Sequence, residues 1–413
     1  MSQNYISKFQ AENFRQFSKI SMKFNDKFNF ITGPNGCGKS SILVGIHHCL
    51  DYSWQSSRLN QDSSFYIKVF KNDRFYYLGL GKNTFQNTNS YRRISLYTYN
   101  LPSVEGETSY TAYTPSNITP ENKIFPLFIG TKRSIDYIEV DGIKREETNV
   151  ESLRQQYSSR GIESNISDVK QWLINRYFII GKDWAWEEKE NWNLLLENLP
   201  KIAPFGSNFK FVKIERDLEP IFTLYNQECY LEELSAGFQA IFSIIGNIIE
   251  WIEKTNVEGA KNIQHAYGTV IIDELDLHLH PEWQFNIRDG LVALFPNLQF
   301  IVTTHSPHLL ASAKAGEVII MDRKTGVTEY FFGPSAKTYS GWSTDQILED
   351  VMGVKSLVNK DYERLIADAL EAYNKKDKQE LRGLMESLAT ITHSDDTILQ
   401  VLKMKMASLE LNQ

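Results

Sequence analysis

The spacing of hydrophobic residues predicts short strands in the first third of the chain. Apolar and polar side chains alternate there over segments of four to six residues, as is typical of half-buried β-strands. A polar loop is predicted over 101–122 and a buried strand over 124–129. The other predicted strands of this part are 5–9, 20–24, 28–31, 65–70 and 74–78.

After residue 148 the hydrophobic spacing becomes helical. Apolar residues recur every three to four positions up to about residue 200, which predicts a helical insertion. Strands are predicted at 209–214 and 221–225, and a long amphipathic helix follows Ser235. The helix is indicated by seven apolar positions: Phe238, Ile241, Phe242, Ile245, Ile248, Ile249 and Ile252.

The last third alternates between buried strands and helices. Two β-rich runs at 269–272 and 298–303 flank a helical segment, as in a parallel β-α-β unit. The runs at 318–321 and 327–331 are predicted to pair as a hairpin. From about residue 343 the spacing is helical again.

Composition indicates an ordinary soluble globular protein. The 413 residues are 42% hydrophobic and 23% charged, with a net charge of −7. This mild acidity argues against a general basic coat for nucleic acid. Three scattered cysteines favour a reducing compartment, and neither a secretory signal nor a 20-residue apolar span is evident. We therefore predict a cytoplasmic protein that has no membrane partner.

A glycine-rich turn at residues 33–40 carries the strongest chemical signal. It fits G-x-x-x-x-G-K-[ST] in full, between a predicted strand and a predicted helix. Backbone N–H groups of such a loop converge on phosphate oxygens, so Lys39 should reach the β- and γ-phosphates and Ser40 should ligate Mg²⁺. The predicted nucleotide-binding residues of this loop are Gly33, Asn35, Gly36, Gly38, Lys39, Ser40 and Ser41.

Acidic residues and a histidine follow the two buried strands of the last third. Asp273 and Glu274 end the first strand, and His305 follows the second. Ligands of open α/β sheets lie at the carboxyl ends of strands. Asp273 is therefore predicted to hold Mg²⁺ with Ser40, while Glu274 acts as general base and His305 contacts the γ-phosphate and the attacking water.

A weaker signal precedes the long helix. Ser235 and Gly237 lie in an L-S-x-G segment, and most such segments are ordinary helix caps. The position of this segment, 38 residues before Asp273, strengthens the functional interpretation.

Together, these motifs resemble those of ABC-type ATPases of the RecF and SMC branch. The segments 12–17, 272–284 and 303–307 look like the family's N-terminal, Walker B with D-loop, and His-switch motifs. Within this branch, the chain resembles the compact PtuA-type ATPases of Septu and retron anti-phage defence systems, and the resemblance extends to residues 341–353.

The resemblance implies an ABC-type P-loop ATPase head with a mixed sheet, N-terminal antiparallel strands, an inserted helical lobe and a helical C-terminal tail. Two subunits would form a head-to-tail dimer, or a higher homo-oligomer, around ATP and Mg²⁺. Ser235 and Gly237 would contact the γ-phosphate held by the other subunit. Asp276 would communicate across the interface, and Arg15 would contact the nucleotide.

We predict four segments on this basis. They are an ATPase lobe with the phosphate loop (1–147), a helical insertion (148–227), the signature, Walker B and His-switch part (228–335), and a helical extension (336–413). The gap between Lys39 and Ser235 lacks the sustained heptads of SMC coiled coils, and no Q-loop glutamine is identifiable.

The predicted function is an ATPase sensor or scaffold that controls a separate effector nuclease, for example an HNH-type PtuB-like protein, in anti-phage defence. Residues 306–413 contain no D-x-D motif and no HNH-like cluster, so no intrinsic nuclease is expected. A RecF-like DNA-repair ATPase is the alternative, and a transporter subunit or a slowly hydrolysing structural clamp are weaker ones. DNA, retron RNA or msDNA stays open as a further partner.

Smaller signals have competing interpretations. His278 and His280 either belong to the D-loop region or form a metal site. Basic clusters at 132–133, 144–145 and 210–216 either meet nucleic-acid phosphates or are solvated faces.

Overall fold

A computed structural model describes residues 3–51, 59–87, 94–164, 168–203, 206–322, 327–354, 359–393 and 396–411. The chain forms two compact units. The larger comprises Met1–Ile347 and Val351–Gly353, and the smaller comprises Leu348–Asp350 and Val354–Gln413.

The strands of the described residues lie almost entirely in the first four-fifths of the chain. In chain order they are β1 (Asn4–Phe14), β2 (Phe17–Lys23), β3 (Phe28–Thr32), β4 (Ser64–Lys71), β5 (Arg74–Leu80), β6 (Phe85–Asn87), β7 (Ile94–Leu96), β8 (Ala112–Tyr113), β9 (Leu127–Ile129), β10 (Lys210–Ile214), β11 (Pro220–Leu224), β12 (Gln227–Tyr230), β13 (Gly268–Ile272), β14 (Leu298–Thr303), β15 (Val318–Ile320) and β16 (Glu329–Phe332).

The helices connect these strands and form the C-terminal region. They are α1 (Lys39–His48), α2 (Val150–Ser159), α3 (Val169–Ile179), α4 (Trp186–Ile202), α5 (Ala236–Thr255), α6 (Pro281–Leu294), α7 (Pro307–Ser312), α8 (Thr344–Asp350), α9 (Lys360–Lys375), α10 (Lys378–Ile391) and α11 (Thr397–Leu411).

A five-stranded parallel sheet forms the centre of the larger unit, in the order β15-β3-β14-β13-β9. Residues of β3, β13 and β14 are buried along their whole length, which explains their continuous apolar sequences. Because all five strands run in the same direction, the carboxyl ends of β3, β13 and β14 meet at one edge. The phosphate loop, Asp273 and His305 follow these ends.

A second, six-stranded sheet has the order β16-β2-β1-β4-β5-β8 and pairs mainly antiparallel. Its inner face packs against α1 through Ile42, Leu43 and Ile46. The approach is close, because a Cβ at Gly45 of α1 would lie 2.3 Å from Cζ of Phe9. The N-terminal antiparallel strands predicted from the sequence are therefore confirmed, and with them the α/β fold class.

The predicted hairpin at 318–321 and 327–331 is wrong. Strand β15 pairs in parallel with β3, whereas β16 pairs in parallel with β2 in the other sheet. Local hydrophobicity identifies both strands, but their pairing depends on partners about 300 residues away in sequence.

The middle region is helical as predicted and packs on the rest of the larger unit. Helices α2 and α3 lie against α5, and α4 lies against α6. Lys170 forms buried ion pairs with Glu219 and Glu232, and Arg176 pairs with buried Glu253. The small sheet β10-β11-β12 completes this region, and β12 is a strand that the sequence analysis did not predict. The four-segment division of the chain remains a prediction.

The smaller unit contains α9, α10 and α11. Asn359 and Asp377 cap the first two helices with their side-chain oxygens. The buried side chains of this unit are Ala369, Ala372, Leu381, Leu388, Leu399, Leu402 and Met406. In the part of the chain that the structure describes, no helix has the length and apolar character needed to cross a membrane.

Candidate nucleotide site

The glycine-rich loop joins β3 to α1 at the carboxyl edge of the parallel sheet. Gly33, Gly36 and Gly38 have φ angles of 143°, 74° and 108°, which only glycine adopts readily. A Cβ at Gly38 would lie 2.4 Å from Cζ of Phe17, so this glycine also allows the loop to pack on the β1–β2 turn. Asn35 and Gly36 are exposed at the tip of the loop.

Lys39, the first residue of α1, folds back onto its own loop. Its Nζ donates to the carbonyl oxygens of Gly33 and Pro34 at 2.9 and 3.2 Å. Burial lowers the pKa of Lys39, and the nearby carboxylates of Asp273 and Glu274 partly offset that effect. The ammonium is thus held inside the loop, where a phosphate oxygen would replace carbonyl oxygens.

Asp273 joins two elements of the site by hydrogen bonds. Its Oδ1 accepts hydrogen bonds from Ser40 Oγ at 3.1 Å and from Thr303 Oγ1 at 2.6 Å. Asp273 follows β13, Ser40 lies in the first turn of α1, and Thr303 ends β14. The structure therefore brings together the two residues, Ser40 and Asp273, that the sequence predicts as Mg²⁺ ligands.

Glu274 lies two residues after the end of β13 and has a left-handed backbone conformation, with a φ of 51°. Non-glycine residues rarely adopt this conformation, and such strain is concentrated at functional sites. The backbone N–H of Glu274 donates to Thr303 Oγ1 at 2.7 Å. Thr303 thus fixes both acidic residues, bonding to the carboxylate of Asp273 and the main chain of Glu274.

Asp276 forms hydrogen bonds with the segment that contains His305. Asp276 Oδ1 accepts from Thr304 Oγ1 at 2.6 Å and from the backbone N–H of His305 at 3.2 Å. The His305 side chain is exposed. Partial loss of solvent, and then the charge of Lys39, lower its pKa, so the imidazole is mainly neutral at pH 7.

Arg133 is buried next to the site, and the sequence does not predict this position. It is 1% exposed and donates from Nε to Gly130 O at 2.9 Å and from Nη2 to the backbone oxygen of Asp273. Burial lowers its pKa to about 10, so it stays cationic at pH 7. Both interpretations of the basic cluster 132–133, a nucleic-acid contact and a solvated face, are therefore wrong for Arg133, whereas Lys132 is exposed.

Arg15 lies beside the start of α1. Its Nη1 donates to Ser41 Oγ at 3.4 Å, and Ser41 Oγ donates to Gln16 Oε1 at 3.3 Å. Ser41 is 7% exposed, so its hydroxyl connects α1 to the β1–β2 turn. Arg15 itself has a left-handed backbone with φ of 51°.

In the described part of the chain, neither Ser235 nor Gly237 forms a hydrogen bond with the loop at residues 33–40. Ser235 is exposed at the start of α5, and its side chain does not cap that helix. Gly237 is buried, and a Cβ there would lie 2.4 Å from Cζ3 of Trp283 and 2.9 Å from the carbonyl oxygen of His278. Gly237 therefore allows α5 to approach the segment after Glu274.

The residues fit a bound Mg²⁺–ATP. A hydroxyl and a carboxylate oxygen 3.1 Å apart are the hard oxygen ligands that Mg²⁺ prefers, and phosphate and water oxygens complete its shell. When bound, the metal would neutralise phosphate charge. Within the described ranges, no cluster of three His, Cys, Asp or Glu side chains forms a separate metal site, and His280 caps α6.

Two important residues lacked an assigned role in the sequence analysis. Thr303 is a hydroxyl residue at the end of an otherwise apolar strand, and that contrast is the signal that identifies it. Arg133 follows β9 by four positions, but sequence alone does not distinguish a buried arginine from a surface one.

Comparison with known proteins identifies the family. Residues 28–311 match the family described as "AAA domain, putative AbiEii toxin, Type IV TA system". The chain is 26% identical to the Septu protein PtuA of Bacillus thuringiensis, over 97% of this chain and 98% of that protein. It is also 26% identical to the "Retron Vc95 probable ATPase" of Vibrio cholerae, over 75% and 72% of the two chains.

Among solved structures, a Pyrococcus furiosus Smc head domain with an extended coiled coil aligns with 84% of this chain and 99% of that one, at 16% identity and a TM-score of 0.45. The family match spans more than half of the chain and contains the loop, Asp273, Glu274 and His305. The chain therefore belongs to this AAA domain family and is an ATPase.

Proposed function

We propose that this chain is the ATP-dependent regulator of a bacterial anti-phage defence system. It binds ATP with Mg²⁺ in the loop at residues 33–40, and two copies close head to tail around two nucleotides. Hydrolysis then releases the closed state. The observation that carries the proposal is the shared hydrogen bonding of Ser40 and Thr303 to Asp273 beside Lys39.

Each residue of the site has a distinct role in this proposal. Lys39 exchanges loop carbonyls for β- and γ-phosphate oxygens, and Ser40 and Asp273 hold Mg²⁺. Glu274 accepts a proton from the attacking water, and neutral His305 hydrogen-bonds the γ-phosphate.

The exposed position of Ser235 supports the dimer. Its hydroxyl is free of the usual capping bond and lies at the positive end of a 20-residue helix. A γ-phosphate presented by a second subunit would meet Ser235 there, with Gly237 directly behind. Asp276 would transmit closure through its bonds to Thr304 and the backbone of His305.

The similarity to Septu PtuA and to a retron ATPase supports the defence role. In this proposal the ATPase cycle controls a separate effector nuclease, with an HNH-type PtuB-like protein as the first candidate. DNA, retron RNA or msDNA is the candidate activating ligand. Three free cysteines support a cytoplasmic location.

Glu274→Gln tests the catalytic assignment. ATP binding should persist because Lys39 and Ser40 are unchanged, whereas phosphate release should fall by at least about 100-fold on loss of the general base. Glu197→Gln, which changes an exposed carboxylate on α4 outside the predicted motifs, is the matched control and should leave turnover unchanged. Normal turnover in Glu274→Gln would contradict the assignment.

A double variant tests the dimer. With ATP, Glu274→Gln should elute as a dimer in size-exclusion chromatography with light scattering. Adding Ser235→Arg should restore the monomer without loss of ATP binding, while Ser103→Arg, at another exposed serine, should not. A Glu274→Gln protein that stays monomeric in ATP would refute the sandwich, and nuclease activity of the chain alone would refute the separate effector.

A further inference from the structure

A second cavity lies at the opposite end of the central sheet from the nucleotide loop. It is bordered by Gly268 and Thr269, the first residues of β13, whereas the nucleotide site lies beyond the last. Its volume of about 410 Å³ is in the range of about 300–1,000 Å³ typical of small-molecule sites. We call it the rear cavity.

The charge of the rear cavity is opposite in sign to that of the whole chain. Its charged lining residues are three cations, Lys71, Lys123 and Arg154, and one carboxylate, Glu121. The chain as a whole has a net charge of −7. A concentration of positive charge in a concave site raises the local concentration of anions.

Arg154 is held in place by a hydrogen bond from its Nε and by a neighbouring aromatic ring. Nε donates to Thr255 O at 2.8 Å, and the guanidinium lies 5.4 Å from the centre of the Phe125 ring. In the part of the chain that the structure describes, its two Nη groups have no hydrogen-bond or ion-pair partner. A positioned guanidinium with free Nη groups is suited to a phosphate or carboxylate.

Lys71 places a second cation close to Arg154. Its Nζ donates to Lys123 O at 2.6 Å. Burial, and then the charge of Arg154, lower the pKa of Lys71 to about 8, while Glu121 offsets this only in part. The two cations therefore repel each other, and an anion bound between them would relieve that repulsion.

We propose that the rear cavity binds a small phosphate-bearing ligand of nucleoside monophosphate size. Arg154 and Lys71 contact the phosphate, and the part of the cavity lined by Phe125 and Tyr267 takes the remainder of the ligand. Because β13 begins at this cavity and ends next to Asp273, the ligand touches the same strand that supports the ATPase site.

Isothermal titration calorimetry with AMP and with inorganic phosphate tests the proposal. The background is Lys39→Ala, which removes the lysine of the nucleotide loop. AMP should bind with a dissociation constant below about 1 mM. Arg154→Gln and Lys71→Gln should each weaken both probes by about tenfold or more, because each removes a charge-assisted contact. Lys71→Arg keeps the positive charge, so it should bind both probes more tightly than Lys71→Gln does.

Arg364→Gln is the matched control, since that arginine is 69% exposed and lies outside the cavity. Thermal melting by circular dichroism verifies the fold of each variant. If Arg154→Gln does not fold, the affinity of Lys71→Gln alone tests the proposal. The proposal is overturned if neither probe saturates, if both cavity variants bind like the background, or if Arg364→Gln loses as much affinity as they do.

Discussion

Thr303→Val probes the network around Asp273 with a nearly isosteric change. Thr303 is 1% exposed, and its hydroxyl donates to the Asp273 carboxylate and accepts from the Glu274 N–H. Valine keeps the shape and removes both bonds. Asp273 retains Ser40 as a partner, so the carboxylate itself should stay in place.

The expected cost follows from these two bonds. A hydrogen bond to a charged group contributes about 1.5–3 kcal/mol, and the bond donated by the partly buried Glu274 N–H contributes about 0.5–1.5 kcal/mol. Allowing for partial relaxation, we expect the free energy of unfolding of the larger unit to fall by about 2–4 kcal/mol. With an unfolding entropy of about 2.1 cal/mol/K per residue, its melting temperature should fall by about 3–5 °C.

Differential scanning calorimetry measures this shift, and Thr303→Ser is the control. Serine restores both hydrogen bonds and removes one methyl group, which costs about 1 kcal/mol. ATP turnover should fall by about 10–100-fold in Thr303→Val, because Glu274 loses its backbone anchor, and should stay near wild type in Thr303→Ser. Equal melting of wild type and Thr303→Val, or equal loss in both variants, would refute the reasoning.

Three further predictions concern other parts of the larger unit. Burial lowers the pKa of His48 from 6.5 to about 3. Between these two pH values the unfolded chain binds one more proton than the folded chain, so the free energy of unfolding falls as the pH drops below about 6.5. His48→Phe should flatten urea-measured stability between pH 6 and 4 by about 1.4 kcal/mol per pH unit, and an unchanged slope would contradict this. Gly237→Ala should destabilise by about 1–3 kcal/mol through its clash with Trp283, unlike Gly181→Ala, where a Cβ meets no atom within 4 Å; equal denaturation midpoints would argue against tight packing. Arg133→Met should lower the melting temperature by several degrees, since it removes two bonds to backbone carbonyls, and a melting temperature equal to wild type would show that they contribute nothing.

The sequence predicts which segments meet at the candidate nucleotide site, because the motifs that mark them are local, while the catalytic and binding roles of their residues stay predictions. Loop spacing, strand character and the polar residues at strand ends are all readable within short windows. Parallel strands then place their ends at one edge, so the proximity of Ser40 and Asp273 follows from two separate motifs.

What the sequence does not predict depends on contacts between distant segments. The partners of β15 and β16 were missed because strand pairing is set by the whole fold. The burial of Arg133 cannot be predicted from the local sequence, because it depends on the pairing of β9 with β13. Ser41, although it follows the loop directly, bonds to Gln16 across the β1–β2 turn.

The resting contacts of Lys39 with its own loop make phosphate binding an exchange. An incoming ligand must replace the carbonyl oxygens of Gly33 and Pro34, and hydrogen bonds to a charged group contribute about 1.5–3 kcal/mol each. A ligand that offers one oxygen to the ammonium gains little from this exchange, while one that offers oxygens from two phosphates recovers the loss. In the proposed function, Lys39 would therefore favour nucleotides that bring two phosphates to its ammonium over nucleotides that bring one.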